Sequence, residues 1–119
     1  TVLKARFRPT LDPDAPFELT ILEGADGGKT LTLDGAEPAR VLIGTSPACQ
    51  IQLADRTVSR RHASLDVQAD VLRVIDLGSR NGTRVNGVQI ADASLRGGET
   101  LMVGSTAIRV ERGVHSLES

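Results

Sequence analysis

The chain has 119 residues, enough for one core but not two, and its apolar 39% is almost wholly aliphatic, with two Phe, no Trp and no Tyr. So few aromatics leave little to stack on single-stranded nucleic acid, and 14 basic against 15 acidic residues supply no bulk charge for a phosphate backbone, so no direct nucleic-acid contact is expected. No apolar run reaches the roughly 18 residues of a membrane span, and Cys49 is the only cysteine, which excludes an internal disulfide and points to a reducing, cytoplasmic setting away from the membrane.

Residues 1–16 carry three prolines and mixed charge without periodicity, and read as a leader or linker. Because the chain starts at Thr1, it is expected to be part of a longer protein. From Phe17 the pattern changes. Phe17, Leu19 and Ile21 alternate with polar residues, a glycine-rich turn follows, and Leu31 and Leu33 alternate again, which is the pattern of a hairpin. Val41-Leu42-Ile43 reads as a buried strand ending at Gly44. Short strands are then expected over 51–53, 62–67, 71–76, 83–85, 88–90, 99–103 and 107–110. That is about ten to eleven strands with Gly or Asp turns and no amphipathic helix, so the fold class is an all-β sandwich over 17–110. The tail 111–119 loses the alternation and is expected to fray. Gly27-Gly28-Lys29-Thr30 mimics the end of a phosphate-binding loop, but Glu23 stands where the first glycine is needed and a strand pattern follows, so it reads as a hairpin turn. Cys49 reads as a small buried apolar side chain.

Two polar segments stand out, Val58-Ser59-Arg60-Arg61-His62-Ala63 and Asp76-Leu77-Gly78-Ser79-Arg80-Asn81-Gly82-Thr83-Arg84-Val85-Asn86-Gly87. Each sits at a strand end, and together they offer guanidinium groups (Arg60, Arg61, Arg80), hydroxyls (Ser59, Ser79, Thr83) and amides (Asn81, Asn86). Arginine forks and hydroxyl donors match the oxygens of an oxyanion. No activated nucleophile, paired carboxylate set or metal-ligand spacing accompanies them, so neither an enzyme, a cofactor nor a metal is expected.

In order and spacing these segments closely resemble the forkhead-associated (FHA) domain, a β-sandwich that recognises phosphothreonine in partner proteins through loops at one end. The likeness covers 17–110. The resemblance makes Ser59 a direct phosphate ligand, Arg60 a contact to the phosphopeptide, Arg80 a contact to the phosphothreonine and Asn81 a clamp on the peptide main chain. It makes His62 structural, shaping the loops. Gly44, Gly82 and Asn86 are expected to support the site through backbone geometry, Asn86 in a turn with Gly87. The family's usual Gly-Arg pair is here Gly44-Thr45, so Thr45 stands where an arginine normally grips the phosphate.

The function this implies is a phosphothreonine-peptide recognition module for regulated protein–protein interaction in bacterial Ser/Thr kinase signalling, with a kinase acting upstream. The runs Arg40-Val41-Leu42-Ile43-Gly44-Thr45-Ser46-Pro47 and Leu95-Arg96-Gly97-Gly98-Glu99-Thr100 resemble FHA segments of bacterial signalling proteins, including transcription activators that carry one ahead of an ATPase and a DNA-binding domain. The alternative keeps the fold and drops the phosphate: a scaffolding or self-association domain, supported by Thr45.

Overall fold

The computed structural model describes residues 10–11, 16–35 and 40–115, and every regular element among them is a strand. In chain order these are β1 (Thr10–Leu11), β2 (Phe17–Ile21), β3 (Thr30–Leu33), β4 (Arg40–Gly44), β5 (Ile51–Gln52), β6 (Ala63–Gln68), β7 (Val71–Asp76), β8 (Thr83–Val85), β9 (Val88–Ile90), β10 (Asp92–Leu95), β11 (Thr100–Val103), β12 (Thr106–Arg112) and β13 (Val114–His115). Five form a sheet in the order β10-β7-β6-β4-β5, and six form a second, β3-β2-β12-β11-β8-β9. β1 and β13 pair with each other, Thr10 opposite His115. The architecture is an all-β sandwich.

The alternation in the sequence is an alternation of burial. In β2, Phe17, Leu19 and Ile21 face inward while Glu18 is exposed. The core joins Val41, Ile43, Leu65, Leu72 and Val74 of one sheet to Leu19, Leu101, Val103, Ile108 and Val110 of the other. Each such side chain contributes about 1.5–3 kcal/mol by leaving water. β10 was not anticipated: of its residues only Leu95 is fully buried, and Asp92 and Ser94 face solvent. β12 runs to Arg112, and β13 lies within the stretch expected to fray. The rest of the expected leader (1–9 and 12–15) and of the tail (116–119) falls outside the described residues. Gly27 to Thr30 closes the β2–β3 hairpin, where the Gly28 N–H donates to the Ile21 carbonyl at 2.7 Å and the chain continues as β3.

The pairing register sets which ends coincide. Ile43 lies opposite Ala63, Ala63 opposite Asp76, and Val103 opposite Thr83. The connections after β4, β5, β7 and β11 therefore emerge at one end of the sandwich.

Candidate functional site

Gly44 ends β4 directly against the backbone of residues 59–60. A Cβ there would stand 2.1 Å from the Arg60 carbonyl oxygen, so no side chain fits. The close approach lets the Thr45 and Ser46 N–H groups donate to the carbonyls of Ser59 and Arg60, both at 3.1 Å. The Cys49 thiol, buried as expected, donates to the same Arg60 carbonyl at 3.2 Å. The Arg60 backbone is thus held, while its side chain is exposed and without a partner among the described residues.

His62 joins this segment to the β7–β8 loop. Its ring is fully buried. The Ser59 N–H donates to Nδ1 at 3.0 Å, and since a backbone N–H can only donate, the ring proton sits on Nε2, 2.8 Å from the Gly82 carbonyl that accepts it. Both ring nitrogens are engaged, which leaves neither for a metal or a proton-transfer role.

The Ser59 hydroxyl makes the second bridge, accepting the Arg80 N–H at 3.0 Å. Its own proton has no acceptor among the described residues and can be donated to a ligand. A third bridge runs from Asn81, whose Nδ2 donates to the Thr57 carbonyl at 2.8 Å, leaving the amide oxygen free. Ser59, Arg60, Arg80, Asn81 and Thr45 therefore lie on mutually bonded loops. Thr45 is half-buried and its carbonyl accepts from Gln52 Nε2 at 3.1 Å. Asn86 is different: it begins the two-residue Asn86-Gly87 turn at the far end of β8, with φ of 50° and 85°, and its Oδ1 and N–H bond to the N–H and carbonyl of Thr100. It supports the site only through the strand.

The hydroxyls divide. Ser79 and Thr83, which the sequence offers as oxyanion donors, turn inward and donate to Asp76 Oδ1 at 2.5 and 2.7 Å. The N–H groups of Gly78 and Ser79 donate to Asp76 Oδ2 at 3.0 and 3.1 Å, an Asx turn that sets the loop. Burial is the largest single influence on the Asp76 carboxyl and pushes its pKa up, but these four hydrogen bonds together outweigh it and hold the carboxyl below the usual range.

A further hub went unread in the sequence. Thr57 Oγ1 donates to Asp55 Oδ1 at 2.8 Å and accepts the Ser105 N–H at 2.7 Å, while its carbonyl takes Asn81. Thr106 donates to Asp55 Oδ2 at 2.7 Å, and this hydroxyl, followed by the Thr57 N–H, depresses the Asp55 pKa. Gly104 admits the contact, since a Cβ there would meet Thr57 Oγ1 at 2.6 Å. The two carboxylates of these loops are thereby committed to local donors. Arg60, Arg61 and Arg80 remain exposed, and none of these side chains has a carboxylate partner among the described residues.

Residues 20–113 match the family described as the cytoplasmic domain of the inner membrane component of the type III secretion system, an FHA-type domain. The structure superposes on the FHA domain of the CT664 protein from Chlamydia trachomatis with a TM-score of 0.73 and 29% identity, over 82% of this chain and 97% of that one. The chain belongs to this FHA family. An FHA domain solved in work on phosphothreonine-dependent FHA interactions aligns with a TM-score of 0.72 and 30% identity, over 81% of this chain and 95% of that one. The glycogen accumulation regulator GarA of Mycobacterium tuberculosis is 36% identical over 92 residues, 77% of this chain and 55% of GarA. This FHA chain thus spans about half the length of the curated relatives it matches.

Proposed function

We propose that this FHA domain is a phosphothreonine-peptide recognition module. The observation that carries the reading is the loop end itself: Ser59 with a free hydroxyl proton, beside Arg60 and Arg80 with unpaired guanidinium groups, on a backbone locked by Gly44, His62 and Gly82. A phosphate brings about −1.5 to −2 charge and strong acceptor oxygens, which suits a site rich in donors whose carboxylates are already engaged. FHA domains are among the modules that read phosphorylated motifs with arginine clusters, and one solved relative was characterised in phosphothreonine-dependent interactions. Asn81 would hold the peptide main chain with its free amide oxygen. The partner is a phosphothreonine-containing protein, with a Ser/Thr kinase upstream and the domain acting in the cytoplasm as the sensory part of a longer protein such as a transcription activator.

Thr45 favours a second reading, a phosphate-independent scaffold, because it removes the charge an arginine would supply. Calorimetric titration with a degenerate phosphothreonine peptide pool and its unphosphorylated twin separates the two. Binding of the phosphorylated pool alone is expected. Equal binding of both pools, or of neither, would overturn the phosphate reading.

A further inference from the structure

The cavities at the loop end differ in charge balance. One, about 630 Å³, runs between Thr45, Lys29 and Arg56, and it also contains Asp26 and Asp55. Its two cations meet two carboxylates, and Lys29 is already bonded to Asp26 at 2.7 Å. It has no net charge to offer an anion. A cavity of about 550 Å³ beside it is more acidic still, with Glu23, Asp26 and Asp55 against Arg56, and another, about 400 Å³, is lined by Ser46, Arg60 and Arg61. Among its described lining residues Arg60 and Arg61 are the charged ones and there is no carboxylate, and neither arginine side chain has a partner among the described residues.

The walls of the cavity at Ser46, Arg60 and Arg61 are fixed from behind. The Ser46 N–H and the Cys49 thiol both bond to the Arg60 carbonyl, and the Ser46 hydroxyl accepts the Ala48 N–H at 3.1 Å, which leaves its own proton to donate outward. Arg61 directly precedes the buried His62, so its backbone position is set while its side chain is free. Two partnerless positive charges on a fixed frame repel one another until an anion enters between them. Neither Arg61 nor Ser46 belongs to the phosphothreonine seat proposed above.

We propose that Ser46, Arg60 and Arg61 form a second oxyanion subsite, which binds an acidic side chain, carboxylate or second phosphate, flanking the phosphothreonine on the same peptide. The proposal rests on the phosphothreonine reading above and narrows its target to acidic or doubly phosphorylated segments. Arg61 becomes a specificity residue outside the phosphothreonine seat.

The test uses the whole chain and three kinds of synthetic peptide: a phosphothreonine peptide with neutral flanks, versions carrying Asp or phosphoserine at each flanking position in turn, and their forms with unphosphorylated threonine. At one or more flanking positions the acidic group should tighten binding about threefold to tenfold, with phosphoserine exceeding Asp, and the gain should shrink in high salt. Arg61→Ala should abolish that gain while leaving the neutral-flank peptide bound as in the native chain, at an unchanged melting temperature. Tight binding of the neutral-flank peptide with no gain at any position would overturn the subsite and leave the phosphothreonine reading intact. A gain that survives Arg61→Ala would remove the assignment to this cavity. If acidic peptides bind equally with and without phosphothreonine, both readings fall.

Discussion

The Ser59 hydroxyl accepts a hydrogen bond from the Arg80 N–H, 21 residues along the chain, at 3.0 Å. This bond brings the donor expected to meet a phosphate and a cation expected to balance it onto one rigid corner. Ser59→Ala and Arg80→Ala are each expected to weaken phosphothreonine-peptide binding about tenfold or more, since a hydrogen bond to a charged group is worth roughly 1.5–3 kcal/mol. Both positions are at least partly exposed, so the melting temperature should move little. Native affinity in both variants, read by calorimetry, would remove the proposed seat.

His62 gives the opposite signature. Its ring is fully buried and bonded at both nitrogens, so His62→Ala removes two hydrogen bonds and opens a cavity between the loops. A loss of about 2–4 kcal/mol is expected, which lowers the melting temperature of a domain this size by about 10 °C or more. A variant that melts with the native chain would show the ring to be dispensable.

The glycines separate two physical causes. Gly87 needs its positive φ of 85° but has open space around it, so Gly87→Ala should cost about 1–2 kcal/mol in backbone strain alone. At Gly44 the backbone is unexceptional, and the obstacle is the Arg60 carbonyl 2.1 Å from any Cβ. Gly44→Ala must therefore push β4 away from residues 59–60, at about 3 kcal/mol or more, and lose peptide binding as well. Equal urea midpoints for the two variants would contradict this ranking.

What the sequence revealed depended on whether the signal was local. Strands such as β2 and β7 alternate Phe17, Leu19, Ile21 or Leu72, Val74 with polar residues, so they announce themselves. β10 does not, because its inward row is only Ala93 and Leu95 and the strand lies at a sheet edge. Ser59, His62 and Asn81 stand out in the sequence because they occur in a recognisable order. Thr57 was not, because its partner Ser105 is 48 residues away and nothing about a threonine in a turn shows that its hydroxyl bridges two loops. The inward turn of Ser79 had a readable cue, the Asp76-x-Gly78-Ser79 spacing of an Asx turn, which assigns the hydroxyl to the loop rather than to a ligand.

Asp76 makes stability depend on acid. Its folded-state pKa lies below the unfolded value of about 3.9, so the folded chain binds that proton less readily than the unfolded chain does. The stabilisation is present in full above the unfolded pKa and is lost as the pH falls through it towards the folded pKa. Asp26 and Asp55, lowered chiefly by Lys29 and by Thr106 respectively, act in the same direction. Urea midpoints should hold from about pH 7 to 5 and drop steeply towards pH 3. In Asp76→Ala, expected to be less stable by about 2–4 kcal/mol at neutral pH, that drop should be shallower. An acid limb identical to the native one would show that Asp76 does not drive it.

Thr45 offers a gain rather than a loss. The cavity of about 630 Å³ beside it leaves room for a longer side chain, and its own backbone bonds to Ser59 and Gln52 do not involve the side chain. Thr45→Arg should restore the guanidinium that the family usually carries there and tighten phosphothreonine-peptide binding by about tenfold. The new guanidinium would share that cavity with Asp26 and Asp55 as well as Lys29 and Arg56, so the field it meets there is balanced. The gain should be confined to the phosphorylated peptide, because an added cation has no new partner on a neutral threonine. A calorimetric titration showing no gain would mean that the phosphate seat lies beyond the reach of position 45, held by Ser59, Arg60 and Arg80 alone. Equal tightening of the unphosphorylated peptide would mean that the loop end attracts acidic chains without reading the phosphate.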